Sequence, residues 1–406
     1  MNILLLTSQV PYPPHGGGAL RVYGLLDGLH RAGYLPDLLS FADRSVDPCQ
    51  TPLKDLCGDL GVVPPPRRRA SQRLRDLVLT NHADLARRFE STDYAAALTI
   101  QLRKKPYQIV QIQSLEMATY LPLIRSVSPQ SRIIYDAYNA EYELQRLIYT
   151  VDRRRLTRLP LAVYSFIQWQ RLITFERQVC QKADQVIAVS SADASLLRAL
   201  APQANIQVIP NGIFAAEYLK PATHLPLGDA ALLFTGTMNY RPNVDSVLWF
   251  ADHILGRIRD EIPTARLFVV GNKPHARLDA LRRRSDVEVT GFVQDIRPFL
   301  HSATVYVAPL RMGSGTRLKL LQAMAAGCAI VSTSVGAQGI QVQNGREMLI
   351  ADDEASFAQA VIGLLRDPGR RVQLGTSATA LVQNRYDWAA IAPDLVAIYK
   401  RLERAS

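Results

Sequence analysis

The chain has 406 residues, of which 48% are hydrophobic and 20% are charged. This composition can fill hydrophobic cores and excludes global disorder, and because the length exceeds one ordinary core we expect two domains. The formal net charge of +11 at pH 7 suits phosphorylated small molecules, nucleic acid or an anionic membrane, although a solvated basic surface gives the same balance.

The cysteines and the first residues indicate the compartment. Cys49, Cys57, Cys180 and Cys328 form no CxxC pair and no cluster with histidine, so we expect reduced cytoplasmic thiols and no metal site. The apolar run in Met1–Val10 lacks a basic segment before it and is too short for a signal peptide or a membrane span. We therefore expect a buried first strand and a soluble or peripheral protein.

The first half of the chain alternates short apolar stretches with segments of helical spacing. After the stretch Ile3–Leu6 comes a loop rich in proline and glycine, and apolar residues then recur at helical spacing from Leu20 to Leu29. Further strands are predicted at Ile109–Gln113, Arg132–Asp136 and Gln185–Ser190. This alternation indicates a parallel, doubly wound α/β sheet.

The same pattern begins again after the polar segment 221–229. Strands are predicted in 231–238, 265–272, 287–292, 304–310 and 328–334, with helices at 243–255 and within 312–327. We therefore predict a first domain over residues 1–212, a second over 213–385, and an amphipathic helix over 386–406 that packs back across the domains.

Ligands of open α/β sheets lie beyond the carboxyl ends of the strands, which directs attention to the loops there. Gly16–Gly18 separates the first strand from the first helix, and consecutive glycines let backbone amides approach an anion at a helix N-terminus. The segment is neither a GxGxxG motif nor a P-loop, and a flexible turn explains it equally well.

The stretch MGSGTRLKLLQAMAAGCAIVSTS, residues 312–334, begins as a small-residue loop and continues as a helix. Ser314 or Thr316 is expected to cap this helix. Arg317 stands near the N-terminus, where the helix dipole disfavours a cation, and a bound phosphate would resolve this conflict. The alternative is a solvated pair, Arg317 and Lys319, on an ordinary surface helix.

Several longer motifs resemble one known family. They are GGGALRVYGLLDGLHRAGY, ADQVIAVSSAD, VIPNG, LLFTGTMNYRPNVDSVLWF, VVGNKP, VTGFVQDIRPFLHSATVYVAPLRMGSGTRLKLLQAMAAGCAIVSTSVGAQGI and NGREMLIADDEASFAQAV. With them the sequence resembles the retaining glycosyltransferases of family four, most specifically between Leu232 and Ala360 and in the GSGTRLK subgroup associated with surface polysaccharide biosynthesis. The resemblance implies the GT-B fold, in which two Rossmann-like domains face each other across a cleft with the first on the acceptor side. It also implies a nucleotide-sugar donor as substrate, no further cofactor and no metal.

The resemblance also implies positions for the donor. The donor-binding residues it implies are Gly17, Gly18, Gly236, Thr237, Phe292, Val293, Ser314, Gly315, Thr316, Arg317, Lys319 and Gln322. In the family the glycines and Thr237 approach the diphosphate, the loop and helix from Gly313 hold phosphate and ribose, and Phe292 with Val293 flanks the base. The implied sugar or acceptor pocket contains His15, Tyr138 and Asn139.

Four of these positions depart from the common pattern of the family. Ser314 and Gln322 stand where many members carry glutamates. Thr237 stands where an arginine is common, and Tyr138 where a histidine is common. The Gln322 amide can still bond a ribose hydroxyl, and the two cations of the GSGTRLK motif are expected to replace the missing charge.

The resemblance implies a cytoplasmic, metal-independent hexosyltransferase that retains configuration and uses a glycan or lipid-linked acceptor. No side-chain nucleophile is evident, so no catalytic residue is assigned, and the leaving diphosphate is expected to accept the acceptor's proton. Two alternatives stay open, a nucleotide-sugar epimerase of the same fold and a non-catalytic nucleotide-sugar-binding protein. The products of an incubation with donor alone distinguish the epimerase from the transferase. Donor binding without turnover across an acceptor panel would favour the non-catalytic binding protein.

Two basic segments stand apart from these motifs, Pro65–Asp76 and Asp152–Gln178. The second mixes arginines with aromatic and aliphatic residues, which fits attachment to the anionic inner face of the plasma membrane. A solvated helix packed on its apolar side explains it equally well. No nucleic-acid-binding motif accompanies the charge, so we expect no nucleic acid partner.

Overall fold

The computed structural model describes residues 1–14, 16–43, 46–153, 158–220, 223–312 and 315–404. The chain divides into two compact units. The first comprises Met1–Asn211 and Ile391–Ser406, and the second comprises Gly212–Ala390. Each unit has its own parallel sheet and its own hydrophobic core.

The first unit is built on a parallel sheet. Its described strands are β1 (Ile3–Thr7), β2 (Asp37–Phe41), β3 (Leu60–Val63), β4 (Ile109–Gln113), β5 (Arg132–Ala137), β6 (Gln185–Ala188) and β7 (Ile206–Val208). They are ordered β3-β2-β1-β4-β5-β6-β7, and all adjacent pairs are parallel. The winding reverses between β1 and β4, which is where ligands of doubly wound sheets bind.

The helices of the first unit connect these strands. Those described before Asn211 are α1 (Gly17–Arg31), α2 (Leu53–Leu56), α3 (Ala70–Leu79), α4 (Asp84–Arg87), α5 (Thr92–Lys104), α6 (Leu121–Val127), α7 (Glu141–Asp152), α8 (Leu159–Lys182) and α9 (Ser191–Leu200). Short 3₁₀ turns occur at Pro48–Gln50 and Leu115–Tyr120. Every residue of β1, β2 and β4 is buried, as expected for strands that helices cover on both faces.

The second unit repeats the architecture with a smaller sheet. Its described strands are β8 (Ala231–Thr235), β9 (Arg266–Val270), β10 (Val287–Gly291), β11 (Val305–Ala308), β12 (Ile330–Ser332) and β13 (Leu349–Ile350), in the order β10-β9-β8-β11-β12-β13. Its described helices are α10 (Ala215–Leu219), α11 (Arg241–Trp249), α12 (Leu255–Glu261), α13 (Arg297–Ser302), α14 (Leu318–Ala325), α15 (Ser334–Ala337), α16 (Glu354–Arg366) and α17 (Pro368–Arg385). A π-helical turn, Phe250–Ile254, joins α11 to α12, and short 3₁₀ turns lie at Ala276–Leu278 and Leu281–Arg283.

The last helix, α18 (Trp388–Arg404), begins in the second unit and from Ile391 onward belongs to the first. It packs on α1 where Gly28 has no side chain, because a Cβ there would lie 2.7 Å from the Cβ of Ala392. Arg401 donates to the amide oxygen of Gln185 at 2.6 Å. These contacts hold the helix against α1 and the first residue of β6.

A buried ion pair joins α1 to the sheet of the first unit. Arg21 donates from Nη2 to Oδ1 of Asp136 at 2.6 Å, and both side chains are almost inaccessible to solvent. The second terminal nitrogen of Arg21 donates to the carbonyl of Ile209 at 3.1 Å and to Oδ1 of Asn211 at 3.0 Å. Arg21 therefore holds the last residues of the first unit against its first helix.

The predicted α/β architecture of two doubly wound sheets is confirmed. The strands β2, β3, β7 and β13 were not predicted, because short strands without clear alternation have little periodic signal. The predicted strand Gln185–Ser190 ends at Ala188, since the Ser190 side chain accepts a hydrogen bond from the backbone of Asp193 and starts the next helix.

Candidate functional site

In the second unit, the loops that follow β8 and β11 lie at the carboxyl edge where the winding reverses. Lys319, in the first turn of α14, donates to Oδ1 of Asn243 at 2.7 Å. Asn243 in turn donates to the carbonyl of Thr237 at 3.0 Å. The Lys319 ammonium also lies 4.0 Å from the ring centroid of Phe234 on β8. Asn243 thus ties the loop after β8 to the lysine of α14.

Gly236, directly after β8, allows this close packing. A Cβ built on it would lie 2.6 Å from Nδ2 of Asn243 and 3.4 Å from Nζ of Lys319. Gly271, at the end of β9, is equally constrained, because its Cβ would lie 1.7 Å from the Gly236 carbonyl oxygen. Any larger residue at Gly236 would displace the side chains that surround the lysine.

Two cations lie close together at the start of α14. Burial lowers the pKa of Lys319 well below its ordinary value, and the neighbouring charge of Arg317 lowers it further. Burial also lowers the pKa of Arg317, which is 9% exposed. Two desolvated cations beside a helix N-terminus form an electrostatic environment that an anion would stabilise.

The structure corrects the expected cap of this helix. Helix α14 begins at Leu318, its N-cap residue is Arg317, and no side chain caps it. Thr316 is therefore not the cap, and its buried hydroxyl has no hydrogen-bond partner among the described residues. Arg317 precedes the first helical residue instead of lying within the first turn. The loop approaches Gly339 closely, since a Cβ on that glycine would lie 3.1 Å from the Cα of Thr316.

The remaining predicted donor residues of this unit are placed as follows. Gln322 donates to the hydroxyl of Tyr218 on α10 at 2.8 Å, and burial raises the pKa of Tyr218 to about 12. Phe292 follows β10 and is exposed, and Val293 is half-buried. An exposed aromatic ring at a strand end is available for stacking on a base.

In the first unit, the glycine loop lies close to Tyr138, one of the residues predicted for the sugar pocket. Gly16 is the N-cap residue of α1, and no side chain caps that helix. A Cβ on Gly18 would lie 3.1 Å from the ring of Tyr138. The Tyr138 hydroxyl donates to Oε1 of Gln113 at 3.2 Å, and the buried amide nitrogen of Gln113 has no partner within the described ranges. Gly17 is the first residue of α1.

A buried carboxylate organises the segment that follows β5. Glu176 accepts hydrogen bonds from the backbone of Glu141 at 3.1 Å and of Tyr142 at 2.9 Å, the first residues of α7. Burial raises the pKa of Glu176 to about 8 and also raises that of Glu141. Asn139 donates to Oε1 of Glu141 at 3.1 Å, so the predicted pocket residue Asn139 is held by this arrangement.

Some predicted positions lie outside the described residues, namely His15, Ser314 and residues 154–157 of the basic segment Asp152–Gln178. Conversely, the sequence analysis did not identify Asn243, Gln113 and Glu176. Asn243 directly follows Pro242 in the first turn of a helix, where polar residues are common for structural reasons. No local sequence feature therefore identified it as part of the site. Gln113 is a polar residue at the end of an apolar strand, and this position could have identified it as a site candidate from sequence.

Two family models match most of the chain. The glycosyl transferase 4-like domain matches residues 16–212, and the group 1 glycosyl transferases match residues 229–367. Together with the two parallel sheets, they define a GT-B protein. The chain belongs to the family-four glycosyltransferases.

Solved structures share this fold at low sequence identity. Sucrose-phosphate synthase from Thermosynechococcus elongatus is 19% identical with a TM-score of 0.73, and each chain is covered completely. Anabaena HepE, solved in complex with UDP-glucose, is 14% identical with a TM-score of 0.65, with 98% of this chain and 99% of that chain covered.

The chain is also similar in sequence to an uncharacterized 44.6 kDa protein in the cps region of Klebsiella pneumoniae. The two are 20% identical over 95% of this chain and 96% of the relative's own length.

Proposed function

We propose that this protein transfers a hexose, with retention of configuration, from a nucleotide-sugar donor to a glycan or lipid-linked acceptor. The observation that carries the proposal is the pair of desolvated cations, Arg317 and Lys319, at the start of α14. The position is the carboxyl edge of a doubly wound sheet, where a diphosphate would neutralise both. The structure of Anabaena HepE with UDP-glucose supports the donor class.

The chemistry that fits these residues is stabilisation of a leaving diphosphate. The bond between the anomeric carbon and the phosphate oxygen breaks, and the acceptor oxygen bonds to the same face of that carbon. The departing phosphate oxygen takes the acceptor's proton. Lys319 and Arg317 stabilise the charge that develops on the diphosphate, so catalysis rests on positioning and electrostatics.

We further propose that the reaction belongs to surface polysaccharide assembly at the cytoplasmic face of a membrane. The relative in the cps region of Klebsiella pneumoniae supports this setting. A phosphatidyl-myo-inositol mannosyltransferase of Mycolicibacterium smegmatis, 27% identical over 48% of this chain and 52% of its own length, supports a lipid-linked acceptor. In the described ranges no helix is long and apolar enough to cross a bilayer.

The test is an incubation with UDP-, GDP- and ADP-sugars and an acceptor panel of glycans and lipid-linked sugars. We expect release of nucleoside diphosphate that requires an acceptor, and a product whose anomeric configuration equals that of the donor. Epimerised donor in the absence of acceptor would instead indicate the epimerase. A donor-induced rise in Tm without turnover across the panel would indicate a non-catalytic binding protein.

Transfer is expected to need no divalent metal. Side-chain cations and a helix N-terminus at the proposed phosphate position would supply the charge that a metal ion supplies in other enzymes. Adding EDTA to the assay should leave the initial rate within about twofold of the untreated enzyme. Loss of the rate with EDTA and its return with Mg²⁺ or Mn²⁺ would contradict this account of the phosphate site.

Arg317→Ala should weaken binding of the nucleoside diphosphate by about 2 kcal/mol, the range of a charge-assisted hydrogen bond. The free nucleoside lacks the phosphates and should bind almost unchanged. Titration calorimetry with both ligands measures the difference. Arg346→Ala, which removes an exposed arginine of the same unit, is the matched control. Equal losses for nucleoside and nucleoside diphosphate would remove Arg317 from the phosphate site.

A further inference from the structure

Two buried polar side chains lie next to each other where β1 and β4 end. Thr7 is the last residue of β1, and Gln113 is the last residue of β4. The register that pairs Leu6 with Ile112 brings Thr7 beside Gln113 on one face of the sheet. Both residues are buried, and in the described part of the chain neither the Thr7 hydroxyl nor the Gln113 amide nitrogen has a hydrogen-bond partner. Because buried polar groups are nearly always paired, these two indicate a partner from outside the protein, at an edge where ligands of such sheets bind.

The Gln113 carboxamide has a defined orientation. Its oxygen accepts a hydrogen bond from the Tyr138 hydroxyl at 3.2 Å, which leaves the nitrogen as a donor for a further group. Tyr138 itself lies against the glycine loop, because a Cβ on Gly18 would be 3.1 Å from its ring. The amide nitrogen of Gln113 can therefore donate to a ligand that reaches the end of β4.

The backbone directly after Gln113 is strained. Ser114 has a φ of 73° and a ψ of 159°, a combination that is essentially restricted to glycine. Its amide donates at 3.0 Å to the carbonyl of Asp136, the residue of β5 that pairs with Gln113. This contact holds the turn after β4 against the end of β5, and strained residues of this kind cluster at ligand sites.

Two carboxylates lie beyond these strand ends. Glu116 belongs to the 3₁₀ turn that follows β4, and Glu141 is the first residue of α7, which follows β5. Burial raises the pKa of Glu141, and the negative charge of Glu116 raises it further. Burial likewise raises the pKa of Tyr138, with smaller contributions from the charges of Asp136 and Glu116. Glu116 is therefore within electrostatic reach of both Glu141 and Tyr138. We call the following residues the β4–β5 edge: Gln113, Glu116, Tyr138, Asn139 and Glu141.

The β4–β5 edge favours neutral ligands over anions. Glu116 accepts a hydrogen bond from Arg88 at 2.7 Å, but the arginine side chain is 53% exposed, so solvent screens its charge. Glu141 accepts from the neutral amide of Asn139 at 3.1 Å. A phosphate or carboxylate would meet two like charges here, in contrast to the cations at the start of α14. Hydroxyl groups can donate to carboxylate oxygens and accept from the amide nitrogen of Gln113, so a neutral polyhydroxylated molecule fits.

We propose that the β4–β5 edge binds the hydroxyl groups of an uncharged sugar, the terminal residue of the acceptor. The Gln113 amide donates to one hydroxyl, and the Glu141 carboxylate accepts from another. The inference rests on the proposed function, because it names the acceptor chemistry of that reaction and excludes an acceptor that ends in a uronic acid or a phosphate. The edge belongs to the first unit and the proposed diphosphate position to the second, so the two can be tested separately.

The test is ligand-observed NMR of the full chain with the methyl glycosides of glucose, galactose and mannose and of the corresponding uronic acids. We expect saturation transfer to at least one neutral glycoside. Binding of its uronic acid counterpart should be about tenfold weaker, because the added carboxylate meets Glu116 and Glu141. No donor is present, so the measurement does not depend on turnover.

Two variants separate sugar recognition from a structural role. Gln113→Met should weaken binding of the neutral glycoside about tenfold, since it removes the hydrogen-bond donor with little change in side-chain size. Glu141→Gln keeps an oxygen for Asn139 but removes the charge, so it should weaken the neutral glycoside and tighten the uronic acid derivative. A structural role alone would change the affinity of both ligands in the same direction.

Each variant has a matched control. Gln111→Met changes the same residue type two positions earlier on the same face of β4, where the amide oxygen accepts from the Tyr399 hydroxyl in the core. Glu143→Gln removes the same charge two positions further along α7, where the carboxylate pairs with Arg146 at 2.6 Å. Both controls should leave the glycoside affinities unchanged. Circular dichroism and Tm establish that each variant is folded.

Four results would overturn the inference. They are binding of no neutral glycoside, tighter binding of the uronic acid than of the neutral sugar, equal losses in the control variants, and an equal loss of donor affinity in Gln113→Met, which would assign the edge to the donor sugar. A protein that binds a neutral glycoside through these residues but binds no nucleotide sugar contradicts the proposed function alone. One that transfers the sugar with the same acceptor selectivity in Gln113→Met and Glu141→Gln contradicts this inference alone.

Discussion

Lys319→Met is expected to lower kcat/KM about 100-fold while making the protein without ligand more stable. The loss of activity follows from removing one preorganised charge at the leaving diphosphate, an effect of about 10²–10³ in comparable sites. The gain in stability follows from the environment of Lys319, where burial and Arg317 disfavour the charged ammonium. Function and stability therefore respond in opposite directions at this position, as expected for a binding site that is strained when empty.

The pH dependence of stability provides a second measurement. The folded-state pKa of Lys319 lies below its ordinary value, so the protonated lysine destabilises the fold at low pH and the penalty disappears as pH rises toward the ordinary lysine range. The excess stability of Lys319→Met should accordingly be largest at acidic pH and should shrink as pH rises through the lowered pKa toward the ordinary lysine range. Urea denaturation across this range, together with steady-state kinetics, tests both statements.

Two further variants show whether the effect belongs to the site. Lys104→Met removes an exposed lysine that pairs with Asp59, and it should change neither kcat/KM nor the donor-induced rise in Tm. Asn243→Ala leaves Lys319 in place but removes its 2.7 Å partner, so a smaller loss of donor affinity is expected. If Lys319→Met binds the donor like wild type, the diphosphate does not lie at α14.

The second large effect is expected at the buried ion pair of the first unit. Arg21→Met should destabilise the protein by about 3–5 kcal/mol, because it leaves the carboxylate of Asp136 buried without its charged partner. The double variant Arg21→Met/Asp136→Leu should lose much less than the sum of the single variants, since no uncompensated charge remains. Urea denaturation gives the free energies, and hydrogen exchange at the amides of α1 and β5 assigns the change to the first unit.

The same helix offers a matched control. Arg31 pairs with Asp27 at 2.8 Å, but its side chain is 61% exposed. Arg31→Met should therefore cost less than about 1 kcal/mol, the range for surface pairs. Comparable losses at Arg21 and Arg31 would show that burial of the first pair is not what makes it strong.

The sequence by itself determined the architecture. Short apolar stretches such as Ile3–Thr7 and Ile109–Gln113 alternate with helical spacing, and local periodicity of this kind is sufficient to predict a parallel sheet. The same local information placed Arg317 after a predicted strand, where ligands of such sheets bind, whereas Gly236 was assigned to the site by the family resemblance. Family membership followed from long motifs, which are also local in sequence.

Only the tertiary structure decided which charges are buried and which segments are neighbours. Arg21 resembles any cation of an amphipathic helix, and it is buried because the fold brings Asp136 to it from 115 residues away. Lys319 is desolvated because Gly236 of the loop after β8 and Asn243 of α11 close around it. Arg73 donates to the hydroxyl of Tyr164 although 91 residues separate them. Each outcome depends on long-range packing, and the burial of a charge has no periodic signal in sequence because its partner can lie anywhere along the chain.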